Sequence, residues 1–178
     1  MSEIKQLLML RGFTEEEATK TYNRWYAWLN DTLSVKDVEQ HFKAIEESKY
    51  NQLVIVKDID VNLVCPHHLL PVVMKVHIGY VPNGKILGLS KFARVAKDLA
   101  RPITQENYTE QVVEIINKKL EPQFVMAIVV GKHMCMCVRG VLATGSATIT
   151  NALRSKVFSK SEVQSMKDEL MRSVNLNG

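Results

Sequence analysis

The amino-acid sequence predicts an α+β fold whose strands pair antiparallel. Three observations support this prediction. Apolar residues recur at helical spacing over the first 48 residues, they alternate from residue 53 onward, and consecutive strands are joined by short turns. Short turns between neighbouring strands imply antiparallel pairing. The predicted order is helices, two strands, two helices, two strands and a final helix. We divide the chain into an N-terminal helical extension, 1–48, and a main domain, 49–178.

The N-terminal region contains two predicted helix starts. Thr14 and Glu17 have the spacing of a capping box, in which the first side chain caps the helix and the second reaches back to it. The apolar face of this helix comprises Ala18, Tyr22, Trp25 and Leu29. A second helix start at 34–37 is followed by an apolar stripe of Val35, Val38, Phe42 and Ile45.

The following segment has the period of two that is typical of strands. One predicted row of inward-facing residues comprises Leu53, Ile55, Ile59, Val61, Leu63 and Cys65. A second strand alternates at Met74, Val76, Ile78 and Tyr80. It ends at the turn sequence Pro82-Asn83-Gly84.

The second half of the chain returns to helix and then to strand. Helices are predicted over about 90–101 and 107–120, the second with a core face of Val112, Val113, Ile116 and Leu120. Strands are predicted over 123–139 and 141–149. A capping box at 161–164 then begins a C-terminal helix with apolar positions Val163, Met166, Leu170 and Val174.

Composition argues against several classes of protein. The net charge of +4 is too small to indicate nucleic-acid binding, and the basic residues are not interleaved with aromatic ones. The three cysteines, Cys65, Cys135 and Cys137, are too few for a disulfide framework and suit a reducing compartment. The N-terminus is too short and too charged for a signal peptide, and no apolar run approaches the ~20 residues of a membrane span. We expect a cytoplasmic protein without nucleic-acid or membrane partners.

The segment CPHHLLP, 65–71, places one thiol and two imidazoles within four positions. If 123–139 is one strand, its same-face neighbours lie about 6.5–7 Å apart. One face then carries His133, Cys135, Cys137 and Arg139, and the core face carries Met134, Met136 and Val138. Zinc favours thiolate and imidazole ligands, and a catalytic zinc keeps one position for water. The turn and the strand therefore predict a zinc site with three protein ligands, Cys65, His68 and Cys135.

Other interpretations of these residues stay open. Cys135 and Cys137 can also be inert core thiols. Cys137 can be the fourth ligand of a structural zinc site, although both cysteines would reach one ion only with strain. Met134 and Met136 are interpreted as core packing and not as copper ligands.

Two further histidines are predicted to transfer protons. If His68 binds the metal, His67 points elsewhere and is free for this role. His133 lies two residues from Cys135 on the same predicted strand face, which suits a second proton-transfer group.

Four stretches of the chain resemble the zinc-dependent GTP cyclohydrolase I family. They are CPHHLLP (65–71), VPNGKILGLSKFARV (81–95), RPITQE (101–106) and KHMCMCVRGV (132–141). The resemblance covers about 53–154 and extends more loosely toward both ends. It implies the tunnelling fold: a four-stranded antiparallel sheet with two helices between strands 2 and 3, preceded by N-terminal helices. It also implies an oligomeric β-barrel, in which pentamers pair into a homodecamer with active sites between subunits.

The resemblance also implies a reaction. In the family, zinc-activated water attacks C8 of the guanine of GTP, formate leaves, and rearrangement gives 7,8-dihydroneopterin triphosphate. Protonation of the guanine N7 by His67 or His133 would make C8 more electrophilic. The family's product enters folate, tetrahydropterin or deazaguanine synthesis.

Substrate contacts are implied in the same way. Glu106 matches the family's guanine-reading carboxylate, and Gln105 matches its neighbour in that pocket. The positions matching phosphate contacts are Ser90, Lys91, Arg94 and Arg139, with Lys20 from an adjoining subunit. Apart from the resemblance, Lys91 and Arg94 can be a solvated helix start, and Glu106 can be a carboxylate favoured by a helix dipole. Arg139 can equally be an ordinary surface residue.

Two positions depart from the family pattern. Pro66 stands where the family commonly has a carboxylate, and Glu17 stands where it has an arginine near the phosphates. Glu17 is therefore either a capping residue turned away from the substrate or a sign that the phosphate end of the substrate differs. The alternatives to a GTP cyclohydrolase are a same-fold enzyme acting on another guanine nucleotide and a non-catalytic zinc-binding assembly subunit.

Overall fold

The computed structural model describes residues 2–156 and 158–174. The chain forms two compact units, 1–34 and 35–178. The domain boundary that we predict after residue 48 stays a prediction. No helix among the described residues is long and apolar enough to span a membrane.

The first unit contains helices α1 (Glu3–Leu10) and α2 (Glu15–Leu33). The predicted capping box of α2 is confirmed: Thr14 Oγ1 accepts from the Glu17 amide, and the Glu17 carboxylate accepts from the Thr14 amide at 2.9 Å. The amide and the hydroxyl of Thr14 both donate to the Glu17 carboxylate, and these two bonds lower the pKa of Glu17. On the predicted apolar face, Ala18 and Leu29 are buried, whereas Trp25 is 39% exposed.

The second unit opens with a 3-10 helix, Glu39–Ala44, and strand β1 (Ile45–Glu47). Strand β1 pairs antiparallel with β4 (Lys85–Leu87), which follows the predicted turn at 82–84. This small sheet was not predicted, because three-residue strands carry too little alternation to be recognised. Phe42 is buried as predicted, but Val35 is 82% exposed, so the predicted apolar stripe is wrong at this residue.

The main sheet has the order β2–β3–β5–β6, and all of its strands pair antiparallel. Its strands are β2 (Val54–Val64), β3 (Pro71–Val81), β5 (Phe124–His133) and β6 (Thr148–Ser155). Helices α3 (Leu89–Asp98) and α4 (Gln105–Leu120) lie between its second and third strands in sequence. The predicted α+β class, the antiparallel sheet and the position of the two helices are thereby confirmed.

Hydrophobic clusters form on both faces of the main sheet. The α4 residues Val112, Val113, Ile116 and Leu120 are fully buried in the larger cluster, as predicted. Tyr108 ties α4 to α3 by donating its hydroxyl to Ala96 O at 2.7 Å. Helix α6 (Lys160–Ser173) supplies Leu170 to a second cluster with Phe124, Met126 and Ile128.

Strand β2 contains a bulge, so the residues predicted to form one row do not all lie on the same face of the sheet. Val56 pairs with Ile78 but Ile59 pairs with Val76, so β2 has one extra residue there. An extra residue moves the following side chains to the opposite face. Leu53 and Ile55 consequently pack in the α6 cluster, whereas Ile59, Val61, Leu63 and Cys65 belong to the larger cluster.

The bulge is closed by a buried histidine. Asp58 adopts a left-handed conformation with φ of 59°, and its amide donates to His77 Nδ1 at 3.2 Å. His77 is 2% exposed, and this burial lowers its pKa.

The predicted strand over 123–139 is too long. Strand β5 ends at His133 and is followed by a helical turn, α5 (Met134–Cys137), in which Val138 N donates to Met134 O at 2.9 Å. The predicted sharing of one strand face by the residues from 133 to 139 is therefore wrong. Met134 and Met136 are half-buried, and Val138 is 61% exposed, so they do not form a core face.

The two elements after α5 are displaced from their predicted positions. Residues 141–147 form turns, in which Ala143 N bonds Met136 O at 2.8 Å, and the strand begins only at Thr148. Helix α6 is capped by Ser159 with Glu162, two residues before the predicted Ser161. Ser159 and Glu162 have the same three-residue spacing as the predicted pair Ser161 and Gln164, and α6 begins two residues earlier than predicted. The predicted stripe of α6 packs in the second cluster.

Candidate active site

The CPHHLLP segment forms the tight turn between β2 and β3. Cys65 N donates to Leu70 O, and Leu69 N donates to Cys65 O, each at 2.9 Å. Leu69 has a φ of 52°, a left-handed conformation that reverses the chain. The turn folds both imidazoles back toward the thiol: His68 Nδ1 lies 3.6 Å and His67 Nδ1 3.8 Å from Cys65 Sγ.

The sheet register brings the third metal-ligating residue to this turn. Val72, at the start of β3, pairs with His133, at the end of β5. The helical turn α5 therefore begins beside the end of the 65–70 turn. As a result, ligand atoms of Cys65, His68 and Cys135 all lie within 4.8 Å of one another.

These three residues form a group that could hold a metal ion. Thiolate and imidazole are ligands that zinc favours, and three protein ligands leave a fourth position free. Burial raises the pKa of Cys135, and the neighbouring Cys65 thiol adds to the shift. Two thiolates this close repel each other, so a bound cation is what would stabilise both in the deprotonated state.

Cys137 lies outside this group. It is buried, and its Sγ lies 3.7 Å from Ala143 O as a hydrogen-bond donor. Because α5 is helical, Cys135 and Cys137 do not share a face. Among the described residues, the group that could hold a metal contains Cys135 and not Cys137.

His133 stands next to the group, at the end of β5. Its Nε2 lies 2.8 Å from Oε1 of Gln105, the first residue of α4. Burial lowers the pKa of His133, and the nearby Glu106 carboxylate partly offsets this effect. Gln105 is 1% exposed, whereas Glu106, the next residue, is exposed.

A cavity of about 160 Å³ joins these side chains. It is lined by Leu63, Cys65, Pro66, His67, His68, Val72, Ile103, Thr104, Gln105, Glu106, His133 and Cys135. Its walls come from the end of β2, the following turn, the start of α4 and the end of β5. One chain therefore brings together the predicted metal ligands, the two histidines predicted to transfer protons and the predicted guanine-reading carboxylate.

The predicted phosphate contacts do not line this cavity within one chain. Ser90, Lys91 and Arg94 lie in the first turns of α3, where Ser90 and Arg94 are exposed and Lys91 is half-buried. Arg139 is exposed in the turn after α5. Lys20 belongs to the first unit, where it forms an ion pair with Glu16 at 2.5 Å.

Three residues near His133 were not found from the sequence: Thr109, Gly131 and Thr150. The two threonine hydroxyls lie 2.6 Å apart, and Thr150 Oγ1 lies 3.2 Å from Gln105 Nε2. Gly131 was the available signal, since a glycine inside a strand of branched residues often marks the close approach of another group.

Together, the fold and the site define a class of protein: an α+β protein whose Cys/His/Cys group could hold a metal ion at a small cavity that His67, His133 and Glu106 also line. The GTP cyclohydrolase I family matches residues 3–175, and the chain belongs to this family. The matched residues span slightly less than two thirds of the length of several curated relatives named GTP cyclohydrolase 1.

Curated relatives named GTP cyclohydrolase 1 are similar over most of the chain. The relative from Hydrogenobaculum sp. (strain Y04AAS1) is 45% identical over 120 residues, 66% of this chain and 66% of its own length. The relative from Halalkalibacterium halodurans is 41% identical over 143 residues, 79% of this chain and 73% of its own. The one from Pelotomaculum thermopropionicum is 44% identical over 147 residues, 82% of this chain and 75% of its own.

A solved structure supports the fold. The archaeosine synthase QueF-Like in the apo form matches 62% of this chain and 100% of its own, with a TM-score of 0.51 at 21% identity. At this identity, the similarity shows a shared arrangement of sheet and helices and nothing about the chemistry of the site.

Proposed function

We propose that the chain opens the guanine imidazole ring of GTP at C8, releases formate, and closes a pterin ring to give 7,8-dihydroneopterin triphosphate. The observation that carries this proposal is the Cys65, His68 and Cys135 group at a cavity that also holds His67, His133 and Glu106. The names of the relatives support the same reaction.

We infer that the cofactor is zinc. A soft donor set of two thiols and one imidazole fits zinc better than the oxygen-preferring cations. A zinc ion bound by Cys65, His68 and Cys135 would supply a water of lowered pKa for attack on C8.

His67 and His133 are proposed to move protons. Both line the cavity beside the proposed metal ligands Cys65, His68 and Cys135. A proton delivered to N7 of guanine withdraws electrons from C8 and makes it a better electrophile, and later steps require protons to be returned. His133 Nε2 is engaged by Gln105, so its other nitrogen, Nδ1, is the atom that would exchange a proton with the substrate.

Glu106 is proposed to select guanine. It lies in the first turn of α4, one residue after the buried Gln105, and lines the same cavity. A carboxylate can accept two hydrogen bonds from N1–H and the exocyclic amine of guanine, and adenine does not offer this pair of donors. Thr104 fixes the position of the residue by capping α4, where its Oγ1 accepts from Asn107 N at 3.4 Å.

The triphosphate is proposed to be held by residues of more than one subunit. Four phosphate charges need several cations, and Lys91, Arg94, Arg139 and Lys20 are available with Ser90 for this role. They lie away from the cavity of their own chain or in the first unit. We infer that a neighbouring subunit brings such residues to each cavity, with Lys20 supplied across an interface.

In the proposed assembly, five subunits form one β-barrel. Two such barrels pair into a decamer. Among the described residues, β2 pairs only with β3 and β6 only with β5, so both outer strands keep a free edge. A free edge tends to pair with another strand, and closing a ring of sheets removes it.

The local role of Glu17 as a capping residue favours GTP itself as the substrate, since the carboxylate is then occupied at its own helix start.

A substrate panel tests this function. Purified protein with zinc is incubated with GTP, dGTP, GMP and ATP, and formate and a fluorescent pterin are measured. We expect both products from GTP and neither from ATP. Turnover of GMP in preference to GTP would favour the same-fold alternative, and no turnover of any guanine nucleotide would favour a non-catalytic zinc-binding subunit.

Glu106→Gln tests the guanine contact within the same assay. The amide presents a donor where guanine also presents donors, and the loss of a charged hydrogen bond costs about 1–3 kcal/mol. Guanine nucleotide binding should weaken at least about tenfold, while zinc content is unchanged. Unaltered affinity for GTP would remove Glu106 from the base-reading role.

A further inference from the structure

The side chain of Gln105 is enclosed by protein atoms at both ends of its amide. Its Nε2 has three acceptors within reach, Val129 O at 3.1 Å, Thr148 O at 3.0 Å and Thr150 Oγ1 at 3.2 Å, and its two hydrogens are shared among them. Its Oε1 meets His133 Nε2 at 2.8 Å. Gln105 is 1% exposed, and both polar atoms of its amide already have protein partners.

The directions of these hydrogen bonds are fixed by chemistry. Val129 O and Thr148 O can only accept, so the amide nitrogen of Gln105 must face them and its oxygen must face His133. An amide oxygen can only accept, so His133 Nε2 must carry the hydrogen. The neutral ring of His133 therefore keeps its lone pair on Nδ1.

The two threonines extend the same network without ambiguity. Thr109 Oγ1 donates to Gln105 O at 2.7 Å, which uses its only hydrogen. The contact of 2.6 Å between the hydroxyls must therefore be donated by Thr150 to Thr109. This leaves Thr150 Oγ1 as an acceptor for Gln105 Nε2, and every group in the network has a compatible partner.

Gly131 is required for this arrangement. A Cβ built on Gly131 would lie 2.1 Å from Gln105 Oε1 and 2.9 Å from its Cδ. The backbone of Gly131 is extended within β5, so alanine is allowed there by conformation and excluded only by Gln105. The glycine makes the space in which the amide oxygen reaches His133.

We propose that Gln105 is a positioning residue that fixes the orientation and tautomer of His133, and that Gly131 and Thr150 hold Gln105 in place. This inference rests on the proposed function, in which His133 exchanges protons with the substrate. It differs from the role that the family resemblance implies for Gln105, which is a direct contact in the guanine pocket. A positioning role predicts a loss in kcat with little change in KM, whereas a substrate contact predicts a rise in KM.

Gly131→Ala is the sharpest variant because it displaces the amide without removing any polar group. We expect zinc content to be retained and kcat to fall about ten- to hundredfold, which approaches the loss of a general acid–base group. KM for GTP should change less than about threefold, because the variant leaves unchanged the contacts that bind substrate and transition state equally. Gly79→Ala is the matched control: it adds a Cβ in β3 that meets the flexible ends of Leu170, at 3.3 Å, and Leu53, at 3.6 Å, and it should keep kcat.

The tautomer of His133 supplies a readout that does not depend on turnover. Magic-angle-spinning 15N NMR of zinc-loaded enzyme labelled with [15N]histidine distinguishes protonated from unprotonated ring nitrogens, and His133→Gln identifies the signals of His133. We expect Nε2–H in the wild type and in Gly79→Ala, and a mixture of tautomers in Gly131→Ala. A wild type that yields no formate but has the Nε2–H tautomer would contradict the proposed function and not the Gln105–His133 bond.

Thr150→Val is the second variant. If Gly131→Ala does not fold, Thr150→Val provides the test of the proposal. It removes one acceptor of Gln105 Nε2 while keeping a branched strand residue, so a smaller loss of kcat at unchanged KM is expected. Wild-type kcat with an unchanged His133 spectrum in the variants that fold would overturn the proposal. So would a rise in KM without loss of kcat.

Discussion

Two cysteines that lie two positions apart have opposite surroundings. Cys135 is half-buried at the cavity beside Cys65 and His68, whereas Cys137 is buried against the Ala143 carbonyl. The difference arises because β5 ends at His133 and the chain turns into α5. The Cys135 sulfur, at the cavity, is accessible to a metal ion, whereas the Cys137 sulfur is turned toward the backbone and is not.

The two cysteines therefore give a matched pair of variants. Cys135→Ser should lose bound zinc and formate release, since a hydroxyl is a poor substitute for a thiolate ligand. Cys137→Ser should keep about one zinc per chain. Metal analysis of the purified proteins measures both, and stoichiometric zinc in Cys135→Ser would contradict the assignment of the ligands.

At the scale of elements, the long helices and strands were predictable and the irregular positions were not. The stripe of α4 and the capping box of α2 were recognised because periodicity and capping depend on local sequence. The bulge at Asp58 was missed, since apolar residues occupy odd-numbered positions both before and after Lys57 and Asp58, although the side chains change face between them. The end of β5 was missed as well, because Met134–Cys137 is apolar enough to continue a strand.

The candidate site was predictable for similar reasons. Cys65 and His68 lie on one short turn, so their proximity follows from the sequence. Cys135 was placed in the group through strand parity, which is wrong, yet the helical turn still brings it there. The network of Gln105, Thr109 and Thr150 joins residues about 40 positions apart, and only the sheet register brings them together.

The bulge in β2 predicts how stability depends on pH. Burial holds the pKa of His77 below its ordinary value, with Lys57 and Lys75 acting in the same direction and the Asp58 carboxylate opposing them. Below about pH 6.5 the unfolded chain takes up a proton that the folded His77 resists. Its contribution to stability is therefore complete above that pH and is lost as the pH falls toward the lower folded-state pKa.

His77→Asn tests this prediction, since an amide oxygen can still accept from the Asp58 amide but does not titrate. The urea midpoint of the wild type should fall between pH 7.5 and pH 5.5, and the midpoint of the variant should fall less. An equal decrease in both proteins would assign the pH dependence to other groups.

At the scale of the whole molecule, two features favour assembly of several chains: the free edges of the main sheet, and the position of the predicted phosphate contacts outside the cavity. Strands β2 and β6 each have one partner among the described residues, and the predicted phosphate contacts lie outside the cavity that holds the ligand group. A single chain of 20.2 kDa would then carry the ring-opening groups without a complete triphosphate site. Assembly would supply both a closed sheet and the missing cations.

The family resemblance implies an assembly of ten chains, and we expect this mass in solution. Multi-angle light scattering of the zinc-loaded protein, at concentrations used for activity, measures this directly. A stable monomer with full activity would contradict both the barrel and the sharing of active sites between subunits.

The central claim is that C8 of guanine leaves as formate. GTP labelled with 14C at C8 gives the most direct measurement, because the fate of that one carbon separates ring opening from every other reaction of the nucleotide. We expect the label to appear in formate, one equivalent for each pterin formed, and to require bound zinc. Label that remains in the nucleotide or in the pterin product would contradict the proposed function.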